Sequence, residues 1–120
     1  MTETRLPHHH HDRTEELFDH MPAPASFDAT AELMKLLGDP TRLRLFWMLC
    51  HCEECPLNLS AMMGMSSPAL AHHLKLLRAG GLILSRREGK EVYYRAADTP
   101  CVRALHPMIE QIANLSCPGL

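Results

Sequence analysis

The chain has 120 residues, 46% of them apolar and 5% aromatic, with a formal net charge of −2, which allows one domain with a modest core of Leu, Met, Ala and Ile. No apolar run reaches membrane-spanning length and the polar, His-rich start does not resemble a signal peptide, so a cytoplasmic protein without membrane contact is expected. The slightly acidic balance argues against a protein that coats nucleic acid regardless of sequence.

Residues 1–12 read as a flexible His-containing tail and 13–120 as the folded domain. The tail carries His8, His9, His10 and His11, followed by Asp12. The run could be a fragment of a purification tag, but it is shorter than the usual tag and lacks a flanking linker, so native sequence is expected. A helix is expected over Arg13–Met21, with Leu17, Phe18 and Met21 on one side and Pro22 and Pro24 ending it. Ser26 or Asp28 can cap a second helix, Phe27–Leu37, in which Ala31, Leu33, Met34 and Leu37 recur at helical spacing. Gly38 ends it. Asp39 then caps a third helix with Pro40 at its first position. Leu43, Leu45, Phe46, Met48 and Leu49 point to burial on most sides of that helix. Arg42 and Arg44 near its start oppose the helix dipole and call for a partner, a carboxylate or a phosphate.

His51–Leu57 is a cysteine-bearing connector, and Glu53 and Glu54 are expected to open the short helix after it. Leu59, Met62 and Met63 give that helix an apolar face, and Gly64 turns the chain. Ser66 caps the next helix, with Pro68 in its first turn. Leu70, Leu74 and Leu77 should face a core, with His72, His73, Lys75 and Arg78 between them, until Gly80–Gly81 stops the helix. Two angled helices, the second presenting polar and basic groups, have the geometry of a helix-turn-helix, whose second helix fits a DNA major groove. A helical dimerisation or adaptor module without DNA binding would share the apolar periodicity, and is the alternative of another class.

Beyond Gly81 the period changes from helix to strand. Leu82, Ile83 and Leu84 make one strand, Arg86–Lys90 a glycine-containing turn, and Val92, Tyr93 and Tyr94 the return. A hairpin tipped by Arg86, Arg87 and Lys90 reads as a wing lying along a minor groove or the DNA backbone. Charge is segregated to match. Residues 1–39 hold eight acidic and three basic groups, a net of −5, whereas 66–95 hold six basic and two acidic, a net of +4. Asp98 or Thr99 caps a last helix from Pro100 to about Leu115, with a kink or break expected at Pro107. Leu105, Met108, Ile109, Ile112 and Leu115 give it more apolar face than so small a domain needs, which points to a dimer surface. The expected fold is mainly α with a small β-hairpin wing, a homodimeric winged helix-turn-helix.

Five cysteines, an odd number in a cytosolic chain, suggest thiols with metal or redox work rather than a disulfide framework. Cys50, Cys52 and Cys55, in CHCEEC, could hold a soft ion, with His51 or a histidine of the tail as a further ligand. Such binding would rearrange the connector just before the reading helix. The same thiols could instead sense oxidation, and Cys50 could simply be a buried helix residue. The His8–His11 run could recruit Ni(II), Zn(II) or Cu(II). His106, Glu110, Cys101 and Cys117 are weaker candidates, and the two cysteines there also suit small apolar positions at an interface. No residue spacing calls for nucleophilic or hydrolytic chemistry, so no enzyme is expected.

GDPTRLRLFWML, NLSAMMGMSSPALAHHLKLLRAGGLI and SRREGKEVYYRAAD, in that order over about Ala31–Asp98, resemble the ArsR/SmtB family of bacterial winged-helix repressors. The resemblance implies a homodimer, joined by its terminal helices, that sits on a double-stranded operator palindrome near its own promoter. It implies release on binding a metal or another inducer. Ser66, Ser67, Ala69, Leu70, His72 and His73 match the DNA-reading helix, with Lys75 and Arg78 as phosphate contacts. The Cys-Val-Cys-Asp stretch of many family members corresponds here to Cys55, Pro56, Leu57 and Asn58. The usual thiolate pair is therefore missing, and a displaced three-thiolate cluster of Cys50, Cys52 and Cys55 is expected. A second family site uses an aspartate and histidine early in the last helix with a histidine and glutamate about three turns later. Only His106 and Glu110, four residues apart, echo it. No cofactor is required for DNA binding; the expected inducer is Zn(II), Cd(II), Cu(I), Ni(II) or As(III).

Overall fold

The computed structural model describes residues 6–118, so the first five residues of the expected tail lie outside the described residues. The elements run α1 (Asp12–Asp19), α2 (Ala25–Leu36), α3 (Pro40–Leu49), α4 (Pro56–Met63), α5 (Ser67–Ala79), β1 (Ile83–Glu88), β2 (Glu91–Ala96) and α6 (Pro100–Ala113). The chain divides into two compact units between Glu32 and Leu33, inside α2. The physical reason is burial: neither α1 nor α2 contains a buried residue, and Leu37 is the first buried side chain among the described residues. In the N-terminal unit Leu17, Met21 and Phe27 stand exposed, and His9 pairs with Asp12 and Glu15 at 3.3 Å each.

The helices of the second unit begin where short polar side chains can satisfy their first N–H groups. Asp39 Oδ2 accepts from the Arg42 N–H at 2.9 Å, Ser66 Oγ from Ala69 at 3.4 Å, and Thr99 Oγ1 from Val102 at 3.2 Å. A proline follows each cap within the first turn. Arg42 finds partners within the protein: its Nε donates to the Leu36 carbonyl at 2.7 Å, closing the end of α2. α4 starts differently from expectation. Cys55 is its N-cap without a side-chain bond, and Glu53 and Glu54 remain outside it. Glu54 instead forms a β-bridge with Tyr94, its N–H donating to the Tyr94 carbonyl at 3.0 Å and its carbonyl accepting at 2.9 Å.

β1 and β2 pair antiparallel from Ile83↔Ala96 to Glu88↔Glu91, turning through Gly89 and Lys90. Gly89 has φ of 61°, as a tight two-residue hairpin requires at its first position. Leu45, Phe46 and Leu49 of α3, Leu59 of α4, and Leu70, Leu74 and Leu77 of α5 form one core with Leu82 and Ile83. α6 contributes Val102, Leu105 and Ile109 to that same core. Much of its apolar face is thus folded onto the protomer's own core, where the sequence pointed to a dimer surface; Ile112 (77% exposed) and Leu115 (49%) remain outside. α6 also continues through Pro107 without a break. Pro107 and Arg103 are both exposed, so water can serve the carbonyl that proline cannot.

Candidate nucleic-acid interface and ligand cluster

α4, the turn and α5 build the reading head. Gly64 ends α4 in the left-handed region, at φ of 64°, where a side chain would be strained. Ser66, Ser67, Ala69, His72, Lys75 and Arg78 lie exposed on α5 or at its start. Among the described residues, Lys75 and Arg78 face no carboxylate, and neither do Arg87 and Lys90 at the wing tip. Two residues matched to the DNA-reading helix are placed otherwise. Leu70 is 1% exposed and belongs to the core, so it cannot reach a base. His73 turns back toward α3, its Nδ1 lying 3.3 Å from Arg42 Nη1 and 3.9 Å from Asp39. Arg86, expected at the wing tip as a DNA contact, is held by Glu53 and Glu88 at 2.7 Å each.

The CHCEEC thiols do not gather. Cys50 caps the end of α3, Cys52 Sγ points back to the Met48 carbonyl at 3.3 Å, and Cys55 is buried at the start of α4. The connector changes direction between them, so three thiols within six residues serve three different surroundings. Burial pushes the Cys50 thiol up to about 12, with the negative charges of Glu110 and Cys117 adding to it. Burial also raises Cys52, with Glu54 contributing. Cys101 is exposed, and His8–His11 lie exposed in the N-terminal unit.

A different set comes together. His51, His106, Glu110 and Cys117 bring their ligating atoms within 4.8 Å of one another, the one such group of three or more among the described residues. His51 Nε2 and His106 Nε2 are 3.0 Å apart, with the rings edge to face. Glu110 Oε1 lies 3.0 Å from His106 Nε2, and Oε2 lies 3.4 Å from His51 Nε2. The Cys117 thiol is 2.9 Å from both carboxylate oxygens and 3.8 Å from His106. Glu110 is 8% exposed, and the Trp47 indole N–H donates to Oε2 at 3.3 Å. The bond from Cys117, then the indole and the two imidazoles, hold the Glu110 carboxyl below its usual value against the opposing effect of burial. In sequence these four residues were the lesser candidates. The one local signal was the four-residue spacing of His106 and Glu110, which puts both on one side of a helix.

Comparison with known proteins agrees with this architecture. Residues 39–85 match the family described as bacterial regulatory protein, arsR family. The chain is 44% identical over 68 residues to the transcriptional repressor SmtB homolog of Synechocystis, covering 57% of this chain and 52% of that protein. It is 34% identical over 84 residues to the HTH-type transcriptional regulator CmtR of Mycobacterium bovis, covering 70% and 71%. It therefore spans about half the length of the first relative and over two thirds of the second. Among solved structures, the homodimeric winged helix-turn-helix DNA-binding domain Mb0332 from Mycobacterium bovis superimposes with a TM-score of 0.67 at 28% identity, over 79% of this chain and 90% of that one. These relatives are named as regulators and DNA-binding domains, not as enzymes.

Proposed function

Because the chain belongs to the ArsR/SmtB family of bacterial regulators, we propose that it is a cytoplasmic transcriptional repressor that holds an operator in double-stranded DNA as a homodimer and lets go when a metal ion binds. The observation that carries this reading is the outward row of α5: Ser67, His72, Lys75 and Arg78 exposed, the two cations without acid partners, on a winged helix-turn-helix frame. A helix of that character in a major groove reads base edges with its short polar groups and neutralises phosphates with its cations. Arg87 and Lys90 extend the basic surface along the wing.

Dimerisation is supported by apolar groups that a second copy would cover. Ile112 and Leu115 stand exposed at the end of α6, and Leu17, Met21 and Phe27 in the N-terminal unit. Two reading heads related by a two-fold axis would address two half-sites. The metal trigger is supported by the converging donors around Glu110. Thiol oxidation is the weaker trigger, since Cys50 and Cys52 both have raised values and a thiolate is what oxidants attack.

The test is fluorescence anisotropy with duplexes from the region flanking the protein's own gene, measured across a salt series. The logarithm of the affinity should fall linearly with the logarithm of salt concentration, and Lys75→Ala and Arg78→Ala should each lower the slope by about 1. Equal affinity for a scrambled duplex, or no salt dependence, would instead fit an adaptor module and sink the reading.

A further inference from the structure

We propose that His51, His106, Glu110 and Cys117 form a closed, four-coordinate site for a divalent ion of the Zn(II) class. The site stands on its own geometry; its use as the inducer site rests on the repressor reading above.

Four donors around Zn(II), at bond lengths of about 2.0–2.3 Å and tetrahedral angles, stand roughly 3.3–3.7 Å apart. Five of the six separations run from 2.9 to 3.8 Å, and the sixth, His51 to Cys117, stays within 4.8 Å, so opening the tight pairs and drawing in His51 and Cys117 admits the ion. The two imidazole Nε2 atoms face each other, where a neutral pair can share only one proton. An ion would take a lone pair from each. Glu110 is not a surface acid: it is buried, and the Trp47 N–H fixes its orientation as an outer partner of a metal ligand does. Two imidazoles, one carboxylate and one thiolate suit Zn(II) or Co(II). They lack the all-oxygen shell that Ca(II) or Mg(II) takes. With all four positions filled by protein, the site has no open place for a reacting water, which fits a regulatory ion rather than a hydrolytic one.

The chain assembles the site by three separate local devices. His106 and Glu110 share one side of α6. After α6, Asn114 takes the left-handed conformation at φ of 56° and the Leu115 N–H donates to the Glu110 carbonyl at 2.8 Å, which folds the following residues back and returns Cys117 to Glu110. His51 enters from the other direction, just past the Cys50 cap of α3. His51 and His106 also line an open cleft of about 420 Å³, an entry route for the ion. An ion here would tie the α3–α4 connector to α6. Two residues beyond His51, Glu53 holds Arg86 of the wing, and Glu54 pairs with Tyr94 of β2. The path from ion to DNA-contacting hairpin is therefore a short run of main chain.

The experiment is Co(II) titration of the reduced, full-length protein, followed by absorption, alongside operator anisotropy of the same samples. Wild type should show the visible bands of tetrahedral Co(II) with a thiolate-to-cobalt charge-transfer band, both lost on adding Zn(II). Cys117→Ser should lose the charge-transfer band. His106→Gln and Glu110→Gln should bind Co(II) roughly 10-fold more weakly or worse. Cys52→Ser and Cys55→Ala should keep both band and affinity. No tetrahedral spectrum in wild type overturns the site, as does a charge-transfer band that survives Cys117→Ser and disappears in the connector variants. Should Glu110→Gln fail to fold, Cys117→Ser, at an exposed position, still decides. Anisotropy separates the two readings. A protein that shows the band yet keeps its operator at saturating Zn(II) retains the site and loses the trigger. One that releases DNA equally well with Cys117→Ser and His106→Gln retains the trigger and loses the site.

Discussion

Glu53 in the α3–α4 connector grips Arg86 in the wing: one carboxylate oxygen accepts from Nε at 2.9 Å and from Nη2 at 2.7 Å. Glu88 takes Nη1 at 2.7 Å, and the Tyr93 ring lies 4.8 Å from the guanidinium carbon. The bond from Arg86, with the nearby charges of Arg86 and Arg95, holds the Glu53 carboxyl below its usual value, and the two carboxylates raise Arg86. Arg86 is thus a brace between connector and wing, and its charge is already met within the protein.

That brace predicts a difference among the basic residues. A cation already paired releases less counterion when it approaches a phosphate than an unpaired one. Arg86→Ala should therefore lower the salt slope of operator binding by less than Lys75→Ala does. Glu53→Gln, which leaves Glu88 as the one carboxylate on Arg86, should steepen the slope by removing one of its two counter-charges. Equal slopes for Arg86→Ala and Lys75→Ala would make Arg86 an ordinary phosphate contact.

Leu70 and His72 lie two positions apart on α5 and should behave oppositely. Leu70 is 1% exposed, so Leu70→Ala leaves a cavity and should cost about 2–5 kcal/mol of stability. His72 is exposed, and His72→Ala should change stability by no more than about 0.5 kcal/mol. In DNA binding the order reverses: folded Leu70→Ala protein should retain operator affinity, while His72→Ala loses it. Urea unfolding and anisotropy on the same preparations read both quantities.

The reading head was legible in the sequence because its signals are local. Asp39-Pro40, Ser66 with Pro68, and Thr99-Pro100 mark helix starts through caps that need no distant partner. Gly64 and Gly89 mark turns through backbone conformation. The ligand cluster was not legible, because His51 and His106 lie 55 positions apart and meet only when α6 packs on α3. CHCEEC misled for a related reason. Nearness in sequence suggested convergence, but a helix end, a turn and a new helix start intervene, and each thiol takes its direction from a different element. Arg86 failed in the same way, as its charge was visible and its partner in the connector was not.

Glu110 makes stability depend on pH in a stated direction. Its folded-state value lies below the usual 4.5, first through the Cys117 bond, then through Trp47, His106 and His51. A carboxyl lowered on folding contributes stability that is present above its unfolded value and disappears as pH falls through its folded value. In metal-free buffer, the urea midpoint of wild type should exceed that of Glu110→Gln at neutral pH. The gap should close as pH drops below 4.5. A gap that stays constant down to about pH 3 would mean that the variant acts through packing and not through the charge.

The cysteines should separate by reactivity. Cys50, at about 12 instead of 9.0, carries about a thousand-fold less thiolate near neutral pH than an ordinary thiol. Cys52 is raised by burial, Cys117 by its bond to Glu110, and Cys55 is buried, whereas Cys101 is exposed. Iodoacetamide attacks the thiolate, so peptide mapping of the folded protein should find Cys101 labelled first and Cys50 last. Unfolding in urea should remove the difference. Peroxide acts on the same species, so Cys50 and Cys52 should stay reduced while Cys101 oxidises, with operator affinity unchanged in metal-free buffer. Release of the operator by peroxide, reversed by a reductant, would move the trigger from the ion to the thiols.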